Sequence, residues 1–380
     1  MMSNKSIVDI SPTKKFFVDS ITRDISIEKC IMDLIDNSIG GAKRHRKVDS
    51  YRGYYIKIFF SKYDYMIEDN CGGISLEEAE RYVFRFGNND DHLESYSSGG
   101  FGIGMKRAFF KIGKHIHIQS ATEDSRFKVK LDVDKWLKQE DWTIEVESLR
   151  RVRNGIGTTI SIKQLDKGIA KRFNDKEFLT KLCKMVEKQY RKEINSGLEI
   201  WINTIKINNT TVSQKEIYRK EYTYKNIDVE VTVKRGEACL EESGWQIALN
   251  ENIVVLADKS ELTGWGMLNK VGKTNVWDDH LFQEFRGYVN AKAENLLMLP
   301  VTTTKDDIDT SSEVYGFILN KMIEALHESS ESFTKTKEVY IQYRKPVEEV
   351  ERLKKHLNVE SAKEVGIKTY DTYLENNHIK

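Results

Sequence analysis

Asp33 and Asn37 stand four residues apart in "IMDLIDNSIGGA" (31–42). At helical spacing they project from one face, a carboxylate one turn before a carboxamide. A carboxylate there can orient a water, and an amide oxygen can ligate a cation. The same pair also fits a solvated polar face. Asp69, in "EDNCGGIS", follows a strand-like run and precedes Gly72 and Gly73. A carboxylate at a strand end can accept a hydrogen bond from an exocyclic amine; an ordinary turn after a hairpin reads the same way. "GGFGIGMK" spaces Gly99, Gly102 and Gly104 as GxxGxG before a helix. Glycines there let backbone N–H groups approach phosphate oxygens, and the helix dipole favours an anion. Lys106 can add positive charge. The run is not a dinucleotide fingerprint, because a polar loop precedes it, and it lacks the GK[ST] of a P-loop. "NGIGTTISI" puts Thr158 and Thr159 at the start of a strand, where a hydroxyl can point at a ligand.

Regular elements must hold these groups. Ser26 can cap a helix running to about Arg46, with Ile31, Leu34, Ile35 and Ile39 on its apolar side. "YYIKIFF" and "YMIED" alternate like the two strands of a hairpin. "SLEEAERYVFRFG" reads as a helix capped by Ser75, and "MKRAFFKIG" as a helix ending at Gly113. "HIHIQSA", "FKVKLDV", "TIEVESL" and "TTISIKQL" read as strands, followed by a helix over 176–194. Helices with an antiparallel run of strands predict a two-layer α/β sandwich. From about 197 further strands follow: "LEIWIN", "IKIN", "VEVTVKR", "WQIALN", "IVVLAD" and "FRGYVNA". "SSEVYGFILNKMIEALHE" is an amphipathic helix, and a charged helical stretch ends the chain.

The 380 residues suffice for two domains and a tail. A hydrophobic share of 39% rules out wholesale disorder, and a net charge of +1 selects no polyelectrolyte partner. Cys30, Cys71, Cys183 and Cys239 lie far apart without zinc spacing, which points to a reduced, cytoplasmic protein. No stretch has the length of a signal-peptide core or a membrane span.

Taken in order, the four motifs resemble those of the GHKL or Bergerat-fold ATPases. That group includes type II topoisomerases, large heat-shock chaperones, histidine kinases, MutL and the MORC ATPases. "DLIDNSIGGA" stands for the first motif, "DNCGG" for the second, "GGFGIG" for the lid and "GTTISI" for the fourth, over roughly residues 20–165. The resemblance implies ATP and Mg2+ as cofactors and assigns roles by position. Asn37 would bind Mg2+, Asp69 the adenine amine, and Gly73 would line the base pocket. Gly99, Gly100, Gly102 and Gly104, with Lys106, would surround the phosphates. Thr159 would support the water network at Asp69, and Asp33 would orient the attacking water. Three positions depart from the pattern. Asp33 replaces the usual Glu, Cys71 a usual Gly, and Gly40 a usual acid, so binding is expected to be intact and hydrolysis slow.

The resemblance also implies a domain order: an ATP-binding domain over 1–195, an α/β transducer over 196–330 and a helical arm over 331–380. Only about thirty residues precede Asp33, and none is His, which disfavours a histidine kinase. "LPVTTTKDDID" places Lys305 where transducers deliver a lysine to the γ-phosphate, with Arg286 of "FRGYV" as a second charge. Wording of the MORC and MutL kind implies an ATP-dependent homodimer acting as a DNA-associated clamp in a prokaryotic defence or restriction-type system. A chaperone-like or regulatory switch for a protein partner, without DNA, is the other implied class. The runs "KRHRK" (43–47) and "RRVR" (150–153) suit DNA or a solvated charged face alike.

Overall fold

Ser26 accepts a hydrogen bond from the Lys29 amide at 3.2 Å and starts the helix Ile27–Arg46, here α2 after the short α1 over Lys14–Arg23. The structure, a computed structural model, describes residues 10–46, 50–87, 103–150, 155–208, 213–265, 283–302, 308–329 and 332–333. Gly99, Gly100, Gly102, Lys305, residues 151–153 of the basic run and the expected arm beyond 333 lie outside the described residues.

Two compact units divide the chain, Met1–Thr211 with Glu294–Asp307 and Val212–Ala293 with Ile308–Lys380. The first is built on an eight-stranded sheet: β1 (Tyr55–Phe60), β2 (Asp64–Asp69), β3 (Gly113–Ala121), β4 (Arg126–Asp132), β5 (Val146–Ser148), β6 (Gly157–Leu165), β7 (Glu199–Ile202) and β8 (Ile205–Lys206). Their order is β5-β4-β3-β6-β2-β1-β7-β8, antiparallel except where β7 runs parallel to β1. The pair β7–β8, assigned from sequence to the second domain, thus extends the first sheet: Ile200 and Ile202 align with Ile56 and Ile58 and are fully buried with them.

Side chains alternate in burial along the strands, as a sheet covered on one face requires. Tyr65 and Ile67 of β2, Ile116 and Ile118 of β3, and Ile160 and Ile162 of β6 turn inward. They share one core with Ile31, Leu34 and Ile35 of α2 and with Phe109 and Ile112 of α4 (Gly104–Ile112). Phe173 of α6 (Lys167–Phe173) and Leu182 of α7 (Lys176–Gln189) complete it. Burying each such side chain contributes about 1.5–3 kcal/mol. The two-layer α/β sandwich expected from the sequence is the observed fold.

Polar ties fix α2 within this layer. Glu28, buried, pairs with Arg172 of α6 at 2.6 Å and Lys181 of α7 at 3.3 Å. The Tyr190 hydroxyl donates to Asp36 Oδ1 at 2.9 Å and reaches the Met32 carbonyl at 3.0 Å. One expected helix is shorter: Ser75 and Glu78 form a reciprocal capping box, but only Leu76–Glu78 is α-helical before a π-helical turn over Ala79–Val83.

The second unit holds a five-stranded mixed sheet, ordered β12-β11-β13-β10-β9. Its strands are β9 (Lys215–Tyr224), β10 (Ile227–Arg235), β11 (Gly244–Leu249), β12 (Asn252–Asp258) and β13 (Phe285–Lys292). A helix over 313–329 stacks Phe317 on Tyr224 at 4.5 Å between ring centroids. Arg286 is not an available charge. It is buried, and its guanidinium donates to the carbonyls of Gln283, Phe285 and Glu237 at 2.6, 3.0 and 2.8 Å.

Candidate functional site

Three inward-facing rows end in a polar residue. On β2 the row Tyr65, Ile67 ends at Asp69; on β3 the row Ile116, Ile118 ends at Ser120; on β6 Thr158 precedes Ile160 and Ile162. Sheet register aligns the three ends, because Thr158 lies opposite both Asp69 and Ser120. Strand periodicity therefore carries a carboxylate and two hydroxyls to one edge of an apolar face.

Asp69 is 9% exposed. Its Oδ1 accepts from the Cys71 amide at 2.8 Å and the Thr158 amide at 3.3 Å, and its Oδ2 accepts from the Ser38 hydroxyl of α2 at 2.7 Å. A carboxylate offers about four acceptor sites. With two donors on Oδ1 and one on Oδ2, Oδ2 retains capacity for one further donor. Burial raises the Asp69 carboxyl above its ordinary value, while the Cys71, Ser38 and Thr158 hydrogen bonds pull it down. Below it, the Ser120 and Thr158 hydroxyls are 2.8 Å apart, and Ser120 accepts from the Ile74 amide at 2.8 Å.

Two glycines let backbone close around this carboxylate. Gly73 has φ +74°, and a Cβ there would stand 2.1 Å from the Ala121 carbonyl oxygen. Gly157 has φ +138°, and its Cβ would stand 1.9 Å from the Asp69 carbonyl oxygen. Asn70 ties the same turn to β1: its side chain accepts from the Tyr55 amide at 2.6 Å and donates to the Gly53 carbonyl at 2.7 Å.

On α2, Asn37 is exposed between half-buried Asp36 and buried Ser38, so its carboxamide is open to a ligand. Asp33, one turn earlier, is buried and pairs with Arg107 of α4 at 3.0 Å. Lys106, in the first turn of α4, is buried, and desolvation lowers its pKa to about 8. Cys71 is buried as well, and burial pushes its thiol up, so it is an inert wall of the turn.

Asp33, Asp69, Gly73, Gly104 and Lys106 all fall in the first unit, with Asn37 on the exposed side of α2. Thr159 is the exception among the assigned positions. It lies opposite Glu68 on the other face of the sheet, and Thr158 is the residue beside Asp69. Alternation carries the signal for the correction, since Ile160 and Ile162 place Thr158 inward. The same count finds Ser120. Ser38 is found from its place one residue after Asn37, and Arg107 has no sequence spacing that links it to Asp33.

Among the described residues no three His, Cys, Asp or Glu converge to hold a metal ion by themselves. No described helix is long and apolar enough to cross a membrane. No curated protein matches the chain. Residues 25–167, which include α2, the Asp69 turn and β6, match the family model described as histidine kinase-, DNA gyrase B-, and HSP90-like ATPase, and this match supports ATP binding by the segment.

Proposed function

We propose that the first unit binds Mg·ATP and hydrolyses it slowly, as the nucleotide-driven part of a dimerising switch. The observation that carries this reading is Asp69. It is a buried carboxylate held by three protein donors, with acceptor capacity left on Oδ2. The adenine amine is a donor of the matching kind, and Gly73 holds the turn beside Asp69 that would line the base pocket. Asn37 would supply a single neutral oxygen to Mg2+. That fits a cation held chiefly by phosphate and water, as Mg2+ usually is. Lys106, with Gly99, Gly100, Gly102 and Gly104, would receive the phosphates. When bound, Mg2+ supplies charge neutralisation at the phosphates. Asp33 is the residue to orient the attacking water. It is one methylene shorter than the Glu of similar ATPases, and misplacement of that order costs about 10²-fold in rate. The direct test is calorimetry of Mg·ATP with the whole chain; no binding at micromolar protein overturns the reading.

The wording "LPVTTTKDDID", a threonine-rich stretch followed by a lysine, supports Lys305 as the γ-phosphate sensor of the switch. Its closed state would be an ATP-dependent homodimer. Two outputs are proposed: a MORC- or MutL-like DNA clamp in a defence or restriction-type system, and a regulatory switch for a protein partner. A DNA titration at several salt concentrations separates the two, because a clamp on DNA shows a steep linear fall of log affinity with log salt.

A further inference from the structure

Asp33 and Arg107 meet across α2 and α4 as a buried ion pair, with Nη2 at 3.0 Å from Oδ2 and side chains 10% and 7% exposed. The contact is tight. A Cβ added to Gly104, the residue that opens α4, would stand 3.1 Å from the same Oδ2 and 3.3 Å from Cγ. The other oxygen is held differently. Lys29 Nζ lies 3.8 Å from Oδ1, beyond hydrogen-bond reach.

We propose that Arg107 is the positioning residue for Asp33: it pins Oδ2 so that Oδ1 faces the water that attacks ATP. This rests on the reading of Asp33 as the water-orienting group. The terminal torsion of an aspartate is broad, so an unrestrained carboxylate samples many orientations. A charge-assisted hydrogen bond to one oxygen selects one of them and leaves the second oxygen its acceptor capacity. The placement of the arginine is otherwise unfavourable. A cation in the first turns of a helix opposes the dipole, and α4 has no acid of its own there. Asp33 supplies the negative charge from α2, so the helix that follows the GxxGxG run and the proposed hydrolytic carboxylate share one bond. Any displacement of α4 then turns the carboxylate with it.

The test compares wild type with Arg107→Gln, Arg107→Lys, Asp33→Asn and the double variant Asp33→Asn/Arg107→Gln. ATP affinity is read by calorimetry and the hydrolytic step by single-turnover rate. Arg107→Gln should keep ATP affinity near wild type and lower the rate by about 10²-fold, the scale of a misplaced catalytic group. Arg107→Lys should recover part of that loss. In the Asp33→Asn background Arg107→Gln should remove little more of the residual rate, because the two act as one unit. Should Arg107→Gln fail to fold, with Asp33 left buried and unpaired, the double variant and Arg107→Lys carry the measurement. A rate for Arg107→Gln equal to or above wild type overturns the proposal, and so does an equal fractional loss with and without Asp33. A wild type that binds no ATP overturns the site reading and this role with it; a wild type that turns over while Arg107→Gln is unchanged overturns this role alone.

Discussion

Ser38 donates its hydroxyl to Asp69 Oδ2 at 2.7 Å, and that bond joins helix α2 to the end of strand β2. It fixes the carboxylate that the proposed adenine contact needs. Asp69→Asn replaces an acceptor with a donor facing both Ser38 and the base. Loss of a buried hydrogen bond of this kind costs about 1–3 kcal/mol. ATP affinity should therefore fall by roughly tenfold or more, and Ser38→Ala should give a smaller loss in the same direction. Calorimetry decides; an Asp69→Asn protein that binds ATP as wild type does removes Asp69 from the pocket.

The pH dependence of ATP binding should have two limbs. Burial raises the Asp69 carboxyl above 3.8, and only its ionised form accepts the amine. Affinity should fall as pH drops through that raised value, at higher pH than an ordinary aspartate gives. Lys106, lowered by burial to about 8, loses its charge as pH rises through that value, and affinity should fall by up to about tenfold per unit above it. Folding runs the other way at the alkaline end. The native Lys106 binds fewer protons than the unfolded one between about 8 and the ordinary 10.5, so this group's effect on stability improves with pH across that window. Weaker binding there, measured alongside a contribution of Lys106 to the melt that rises with pH, separates the two. Lys106→Met should abolish the alkaline limb, and a limb that persists assigns it elsewhere.

Gly157 should be among the least replaceable residues of the first unit. Gly157→Ala meets both a left-handed backbone and a Cβ 1.9 Å from the Asp69 carbonyl oxygen. Gly53 has φ +88° with open space around it, so Gly53→Ala carries the backbone term alone, about 1–2 kcal/mol. Urea unfolding should show Gly157→Ala destabilised by about 3 kcal/mol or more, well beyond Gly53→Ala. Equal losses would mean that the turn relaxes away from β2.

The helix that carries Asp33 and the hairpin that ends at Asp69 were legible because apolar periodicity and the flanking turn residues agree at each. Counting by two along "TTISI" and "HIHIQS" also gives Thr158 and Ser120, whereas the motif wording points to Thr159 on the other face. Other features were not readable. Strand β9, "KEIYRKEYTY", lies at a sheet edge, where charged side chains belong, and its apolar alternation is correspondingly thin. The parallel pairing of β7 with β1 depends on a crossover of well over a hundred residues, and no local signal encodes it. The Asp33–Arg107 pair spans 74 positions and exists only once α2 and α4 are packed.

Asp33→Ala should separate binding from turnover. Truncation removes the carboxylate but leaves Asp69, Gly73 and Asn37 in place, so ATP affinity should stay close to wild type while residual hydrolysis disappears. Asp33→Glu restores the reach of similar ATPases and should raise the rate, provided Arg107 still meets the longer side chain. Phosphate release under saturating ATP is the measurement. Equal rates for wild type and Asp33→Ala would exclude this residue from positioning the water.

Lys305 should decide whether ATP closes the protein into a dimer. A lysine bonded to the γ-phosphate makes a charge-assisted hydrogen bond worth roughly 1.5–3 kcal/mol. ADP lacks that group, and only an interaction that differs between two states can shift the balance between them. A difference of this size changes the closed population by about ten- to a hundredfold, enough to switch a protein poised near balance. Lys305→Ala should therefore bind ATP through the Asp69 pocket and fail to close. Light scattering with a non-hydrolysable ATP analogue reads the outcome: the wild type should double in mass with the analogue and stay monomeric with ADP, and the variant should stay monomeric with both. A wild type that is dimeric whatever the nucleotide, or a variant that dimerises as readily as wild type, removes Lys305 from the sensing role.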